Sequence, residues 1–237
     1  SRWVARIVME HVTGKSDVDM LIHADDEMYE YDLQRIRLIL EKLRAGQPVQ
    51  YAIGEAWFYG MRLKVAPSTL IPRPETAELV DMIVDDANGR SDLRVLDVGT
   101  GSGCIAVAIA RHLPFADVSA IDISAEALAI ARENAASLKA SVNFIHEDVF
   151  KFSPEAGSFD IIVSNPPYIM DSEREAMESH VLDYEPHQAL FVPDGDAIRF
   201  YTAISRLAFD ALREGGRLYF ELNPLTAADV AEYVKQL

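Results

Sequence analysis

The sequence predicts an α/β fold: a doubly wound, mostly parallel sheet, preceded by a small N-terminal helical domain and a linking β-hairpin. Three observations carry this. From Leu93 onward, short apolar, β-branched runs alternate with helix-period segments, as in βα units covered on both faces. A glycine-rich turn, Gly99 to Gly103, follows the first of those runs. The first 48 residues instead carry their apolar groups at helical spacing.

Residues 2–12 form one such helical stretch, with Gly14 as a stop, and Met20 to His23 suggests a short helix. From Tyr31 to Leu43, Leu33, Ile36, Leu40 and Leu43 share a face, and Gly46 and Pro48 end the helix. Residues 1–48 are therefore expected to be a helical domain. Residues 49–66 are expected to be a β-hairpin linker. Its strands, Val49–Ile53 and Met61–Val65, bracket Trp57-Phe58-Tyr59, with Gly54 and Gly60 as turn residues. Residues 67–237 then form the main domain. A proline-rich loop to Thr76 leads into a helix ending at Asp86. Strands follow at Leu93–Val98, Asp117–Ile121, Val142–His146, Phe159–Val163 and Arg217–Leu222. Helices are expected at Cys104–Leu113, Ser124–Leu138, Ala197–Leu212 and Thr226–Leu237, the second with Ser124 as N-cap.

Composition narrows the function classes. The net charge is −16, and it is uneven: residues 1–48 carry −2 and the remainder −14. A body that grips nucleic acid needs clustered Lys and Arg, so direct nucleic-acid binding is not expected. Cys104 is the single cysteine, which excludes an intrachain disulfide and fits a reducing, cytoplasmic location. No apolar run reaches the roughly 20 residues of a membrane helix, so no membrane association is expected. The six histidines are scattered and no Cys or His pair has ligand spacing, so no metal site is expected.

Two stretches carry chemistry. In the first, Asp97-Val98-Gly99-Thr100-Gly101-Ser102-Gly103 leaves a strand and opens a helix. The glycines let the backbone turn tightly against a ligand, and the helix N-terminus offers free N–H groups. This pattern points to a nucleoside cofactor. Asp122 ends the next strand, where a carboxylate meets a ribose, so NAD is one option; helix capping before Ser124 is the other use of that residue. Asp148 ends the third strand and is placed to accept from an adenine amino group, with Val149 and Phe150 flanking the ring, or else serves as a turn residue beside the core.

The second stretch is Asn165-Pro166-Pro167-Tyr168, directly after a strand. Both prolines fix φ and lack an N–H, so the strand ends in a stiff, extended elbow. If the first and fourth sheet strands are neighbours, this elbow and the glycine loop face one crevice. A nitrogen conjugated to a π-system is a poor nucleophile, because its lone pair is delocalised. Two acceptors that receive its N–H groups orient the lone pair toward an electrophile. The Asn165 side-chain oxygen and the Pro166 carbonyl can serve, with Tyr168 packing on the flat group. That geometry suits methyl transfer from S-adenosylmethionine, and positioning can supply several kcal/mol, up to roughly 7–11 in ideal cases.

Asn-Pro-Pro-Tyr downstream of Asp-x-Gly-x-Gly-x-Gly resembles S-adenosylmethionine-dependent methyltransferases of amino and amide nitrogens. More narrowly, the chain resembles the HemK/PrmC family, which methylates the glutamine of the Gly-Gly-Gln motif in peptide chain release factors. Gly54-Glu55, Phe58-Tyr59-Gly60, Leu70-Ile71-Pro72-Arg73-Pro74-Glu75-Thr76, Val95 to Cys104, Val163 to Ile169, Glu185-Pro186 and Ala189-Leu190 carry the likeness over nearly all the chain. The Pro-Arg-Pro loop discriminates most, since adenine methyltransferases share only the elbow.

The resemblance implies a Rossmann-like class I methyltransferase with S-adenosylhomocysteine as product. It implies cofactor contacts at Gly99, Thr100, Gly101, Ser102, Gly103, Asp122, Asp148, Val149 and Asn165. Glutamine binding is implied at Asn165, Pro166, Pro167 and Tyr168, with Arg73 and Pro74 near the cofactor's methionine end; a loop salt bridge is the other use of Arg73. A release factor is the implied partner, docked in part by the helical domain, and the chain is expected to be a monomer. An adenine amino-group methyltransferase and an inactive cofactor-binding subunit remain the alternatives. After Glu221 the family pattern has a Gly and then a Gln; Leu222-Asn223-Pro224 and Thr226 stand there, and no role is assigned to them. The family fold also has two further C-terminal strands that residues 1–237 do not include, so an exposed sheet edge is expected.

Overall fold

The structure is a computed structural model that describes residues 2–87, 89–90 and 92–237; Ser1, at the start of the expected helical domain, and Asn88 and Ser91 lie outside the described residues. The chain opens with α1 (Arg2–Thr13), α2 (Asp17–Ile22), α3 (Glu30–Arg44) and α4 (Val49–Ile53). Ser16 and Asp19 form a reciprocal capping box at the start of α2. Val8, Val12, Ile39, Val49 and Ala52 make a small core between α1, α3 and α4.

α4 corrects the strand expected at Val49–Ile53. Pro48 holds an extended N-cap and Gly54, at φ +78°, closes the helix in the left-handed region. Val49 and Ala52, three apart, face the helical cluster, while Tyr51 turns the other way onto Ala56, Val65 and Ile71. Five residues, four of them apolar, carry too little periodicity to separate the two readings. The hairpin itself is β1 (Glu55–Phe58) and β2 (Met61–Lys64), antiparallel, with Phe58 opposite Met61. Tyr59 and Gly60 form its two-residue turn, at φ +48° and +71°, the left-handed pair that matches strand twist.

The main domain continues with α5 (Pro74–Asp86), β3 (Arg94–Val98), α6 (Cys104–His112), β4 (Asp117–Asp122), α7 (Ala125–Ser137), β5 (Val142–His146) and β6 (Phe159–Ser164). After the elbow come β7 (Ile169–Met170), α8 (Ser179–Tyr184), β8 (Phe191–Val192), α9 (Arg199–Ala211), β9 (Leu212–Phe220) and α10 (Ala227–Gln236). β7 and β8 pair as a short parallel ladder that the sequence pattern does not announce. β9 replaces the strand expected at Arg217–Leu222. It starts early because Leu212 pairs with Phe159, and residues 213–216 then bulge opposite Asp160 before Arg217 pairs with Ile161.

Five strands form the parallel sheet in the order β5-β4-β3-β6-β9. The first and fourth, β3 and β6, are hydrogen-bonded neighbours, as the shared-crevice reading requires. Side chains alternate between two cores. Val95, Val118, Ala120, Ile161 and Val163 pack under α5 and α6; Leu96, Val98, Ile121 and Ile162 pack against Ile204, Leu207 and Ala208 of α9. Neither face is wet, so the strands read as continuous apolar runs. At the far end of the sheet from the glycine turn, the buried Asp160 carboxylate accepts from the Arg94 N–H at 2.9 Å and pairs with Arg90 and Arg213.

One buried side chain fastens the hairpin to the sheet. The Asn134 amide on α7 accepts from the Lys64 N–H at 2.7 Å and donates to the Lys64 carbonyl at 2.9 Å and the Ser102 carbonyl at 2.8 Å. Asn134→Ala strands three main-chain groups at once. Each unpaired buried group costs about 1–3 kcal/mol, so the expected loss is about 3 kcal/mol, read as a lower urea midpoint at unchanged slope.

Candidate functional site

The carboxyl ends of β3, β4 and β6 open onto a cavity of about 460 Å³, within the range of small-molecule sites. The turn after β3 supplies its floor. Gly99 and Gly101 sit at φ +74° and +56°, a region a side chain rarely enters, and a Cβ on either would meet no protein atom within 4 Å. Main chain therefore faces open space there, as a closely approaching ligand requires. Gly103, at φ +81°, serves the packing instead. It caps α6, and a Cβ would lie 3.0 Å from that of Ala131. Thr100 and Ser102 line the cavity with Gly99 and Gly101, whereas Gly103 packs behind them.

Beneath the turn lies Asp97, fully buried. One of its oxygens accepts from the Thr100 hydroxyl at 2.6 Å and from the Ala106 N–H at 3.2 Å, while the other is unpartnered among the described residues. Burial outweighs those two donors and pushes its carboxyl up to about 7. A proton on the unpartnered oxygen fits that environment. Asp122, at the end of β4, spreads its two oxygens between the N–H groups of Gly101 and Ser124, each at 2.8 Å. It thus braces the glycine turn against the start of α7, and it also lines the cavity. Burial raises its carboxyl, partly offset by the backbone donors. Asp148 accepts from the Phe150 N–H at 3.0 Å, and Asp148, Val149 and Phe150 all line the same cavity.

The elbow forms the opposite wall. Asn165, Pro166 and Pro167 line the cavity. Tyr168 does not; it turns away, and its hydroxyl donates to Glu221 at 3.1 Å. Burial first, then the Glu221 charge, pushes its phenol up, so it stays a donor. Arg73 lines the cavity while its guanidinium holds the buried Glu185 carboxylate at 2.6 Å, so the two readings of this residue coexist.

Three further residues beside the elbow, Thr76, Glu221 and Asn223, are given no site role by the sequence pattern. Thr76, in the first turn of α5, accepts from the Asn165 amide at 3.2 Å and donates to Glu221 at 2.7 Å. Glu221 thereby receives both Thr76 and Tyr168. Asn223, buried, donates to the Tyr168 carbonyl and to Glu173, each at 3.1 Å. The Leu222-Asn223-Pro224 segment therefore clamps the elbow. Local sequence offers one faint signal, a threonine and a carboxylate in otherwise apolar settings near strand and helix ends.

Two family models match the chain: a PrmC N-terminal domain over residues 1–54 and a methyltransferase small domain over 76–190. A release factor glutamine methyltransferase from Bacteroides thetaiotaomicron is 47% identical over 224 residues, covering 94% of this chain and 80% of that protein. The chain belongs to the release factor glutamine methyltransferase family. A second member, from Flavobacterium psychrophilum, is 40% identical, covering 97% of this chain and 82% of that protein. The resemblance read from the motifs is thus borne out. Among solved structures, a methyltransferase from Pyrococcus furiosus has a TM-score of 0.52 at 20% identity, covering 88% of this chain and 85% of that one. A ribosomal protein L11 methylase from Lactobacillus delbrueckii subsp. bulgaricus has a TM-score of 0.50 at 22% identity, covering 73% and 74%. These two likenesses support the fold, a class I methyltransferase, as expected. Among the described residues no helix is long and apolar enough to cross a membrane.

The raised Asp97 carboxyl has a measurable sign. Its folded value of about 7 lies above the unfolded value of about 3.9, so folding favours the protonated form. The associated stability is present below about pH 4 and is lost as pH rises through about 7. Asp97→Asn removes this titration. The melting temperature of the ligand-free chain relative to Asp97→Asn is expected to fall between pH 5 and pH 8; a pH-independent difference would refute the assignment.

Proposed function

We propose that the chain transfers a methyl group from S-adenosylmethionine to the side-chain amide nitrogen of the glutamine in the Gly-Gly-Gln motif of peptide chain release factors. The observation that carries this reading is that Asn165 and the glycine turn line one cavity. Family membership supports the glutamine substrate. Residues 1–54, which match the family's N-terminal model, are taken as part of the docking surface. The enzyme is read as acting in the cytoplasm, as a monomer, on a protein substrate. The charge of −16 disfavours the adenine alternative, because a nucleic-acid grip needs positive charge.

The residues present suit this cofactor chemically: bare main chain at Gly99 and Gly101 would take its polar end, the Asp122 carboxylate would accept from the ribose hydroxyls, and Val149 and Phe150 would flank the base. The bound cofactor supplies an electrophilic sulfonium methyl. The chain's own part is positioning. The Asn165 side-chain oxygen and the Pro166 carbonyl receive the two amide N–H groups, which fixes the amide plane and aims the nitrogen lone pair at the electrophile. Acceptors also favour the positive charge that develops on that nitrogen. The stiff Pro-Pro unit holds both acceptors without reorganisation at the moment of reaction. No strong base is required, since the methylated nitrogen loses its proton afterwards. Arg73, tied to Glu185, would lie near the cofactor's methionine end.

Purified chain, labelled S-adenosylmethionine and a release factor test the reading. Label is expected on the Gly-Gly-Gln glutamine, and transfer that persists after Gln→Ala in the substrate would exclude that residue as the acceptor. Asn165→Ala is expected to lower turnover by roughly a hundredfold, with cofactor affinity by calorimetry changed only a few-fold. A cofactor-binding scaffold without activity would show no turnover to lose.

A further inference from the structure

The Asn165 amide can sit in its place in two ways. Its oxygen and its NH2 group are nearly the same size, yet only one orientation offers an acceptor to a substrate nitrogen. We propose that Thr76 and Glu221 are positioning residues that set this polarity, through a one-way chain of hydrogen bonds running from Asn165 to Thr76 to Glu221. The proposal rests on the amide-nitrogen reading given above.

The chain of bonds has a direction because its last member can only accept. A carboxylate has no proton to give, so the Thr76 hydroxyl proton points at Glu221, at 2.7 Å. The Thr76 oxygen is left with lone pairs, and it faces Asn165 at 3.2 Å. Only the NH2 end of the amide satisfies it. The amide oxygen is consequently the end left for the cavity. A threonine free to rotate would accept either orientation; one held by a carboxylate does not.

Glu221 is itself held from several sides. Its second oxygen receives the Tyr168 hydroxyl at 3.1 Å, its N–H donates to the Ser164 carbonyl at 3.1 Å, and its carbonyl accepts from the Tyr201 hydroxyl at 3.0 Å. Thr76 is 2% exposed, so water does not compete for its hydroxyl. The carboxylate, just past the end of β9, therefore joins the start of α5 and the elbow, each of which donates a hydrogen bond to it, while the end of β6 and α9 hold its backbone.

Shape and hydrogen bonding separate cleanly at Thr76. Thr76→Val keeps the volume and removes the hydroxyl; Thr76→Ser removes the methyl and keeps the hydroxyl. Thr76→Val is expected to lower kcat for glutamine methylation by about tenfold or more and to lower Tm, because it unpairs a Glu221 oxygen and the Asn165 NH2 group, with KM for S-adenosylmethionine close to the parent chain. Thr76→Ser is expected to stay within about threefold of the parent. Glu221→Gln, whose amide can present its NH2 end to Thr76 and so removes the fixed direction, is expected to lose activity toward the level of Thr76→Val, and Glu221→Met to fall as far. A readout without turnover is the side-chain amide resonance of Asn165 in the 15N spectrum, identified by its loss in Asn165→Ala. It is expected to move in Thr76→Val and to stay in Thr76→Ser. Equal activity of Thr76→Val and the parent, equal losses for Val and Ser, or an unmoved resonance would each overturn the proposal. If the parent chain methylates no release factor, the functional reading falls, and the resonance still decides whether the amide is held.

Discussion

The site depends on one strand pairing, that of β3 with β6. Val98 lies opposite Ser164, and the Ser164 hydroxyl donates to the Val98 carbonyl at 2.6 Å, closing the last rung of the ladder with a side chain. Neighbouring strands stand about 4.8 Å apart, so whatever leaves their carboxyl ends leaves side by side. β3 continues into the glycine turn and β6 into the proline elbow. The chain between them travels out through β4 and β5 and returns, which puts the reversal of strand order at this seam. Had β6 paired at the outer edge instead, the same two motifs would lie on separate parts of the sheet and share no cavity.

Around that seam, buried polar side chains take the place that secondary structure has elsewhere. The loops at the sheet's carboxyl end have irregular backbone, and their N–H and C=O groups still need partners. Asp97 supplies them for the glycine turn and α6, Asp122 for Gly101 and Ser124, and Asn223 for Tyr168. Glu185 holds both Arg73 and the Ile71 N–H. These side chains reach main-chain groups over separations from two residues, Asp122 to Ser124, to 114, Glu185 to Ile71. This explains why the site holds an open cavity on otherwise unsupported loops.

What could be read from the sequence follows the range of the interaction. The glycine turn, the elbow and the carboxylates at strand ends announce themselves because their chemistry is local: a positive φ needs glycine, a stiff exit needs proline, and a strand end is marked by its apolar run. The βα alternation is equally local. The strand reading of Val49–Ile53 failed because the conformation there is decided by Pro48, Gly54 and the helical cluster it packs on, none of which those five residues encode. Thr76, Glu221 and Asn134 escaped for a different reason. Thr76 and Glu221 are 145 residues apart and Asn134 and Lys64 are 70 apart, so no spacing rule joins them. Their pairing exists only once the sheet has brought α5, β9 and α7 together.

The Asn134 clamp has a bearing on the order in which the molecule assembles. Lys64 lies in the hairpin, Ser102 in the glycine turn and Asn134 two-thirds of the way along α7, so the clamp needs three segments in place. The hairpin packs Phe58, Met61 and Leu63 against Leu79, Val80 and Ile83 of α5, a nearby segment, whereas the clamp waits until α7 has been made and has docked. Contacts of such long sequence separation close late, because the loop between them must lose its freedom before they form. The hairpin is thus seated in two stages, first on α5 and then by the clamp.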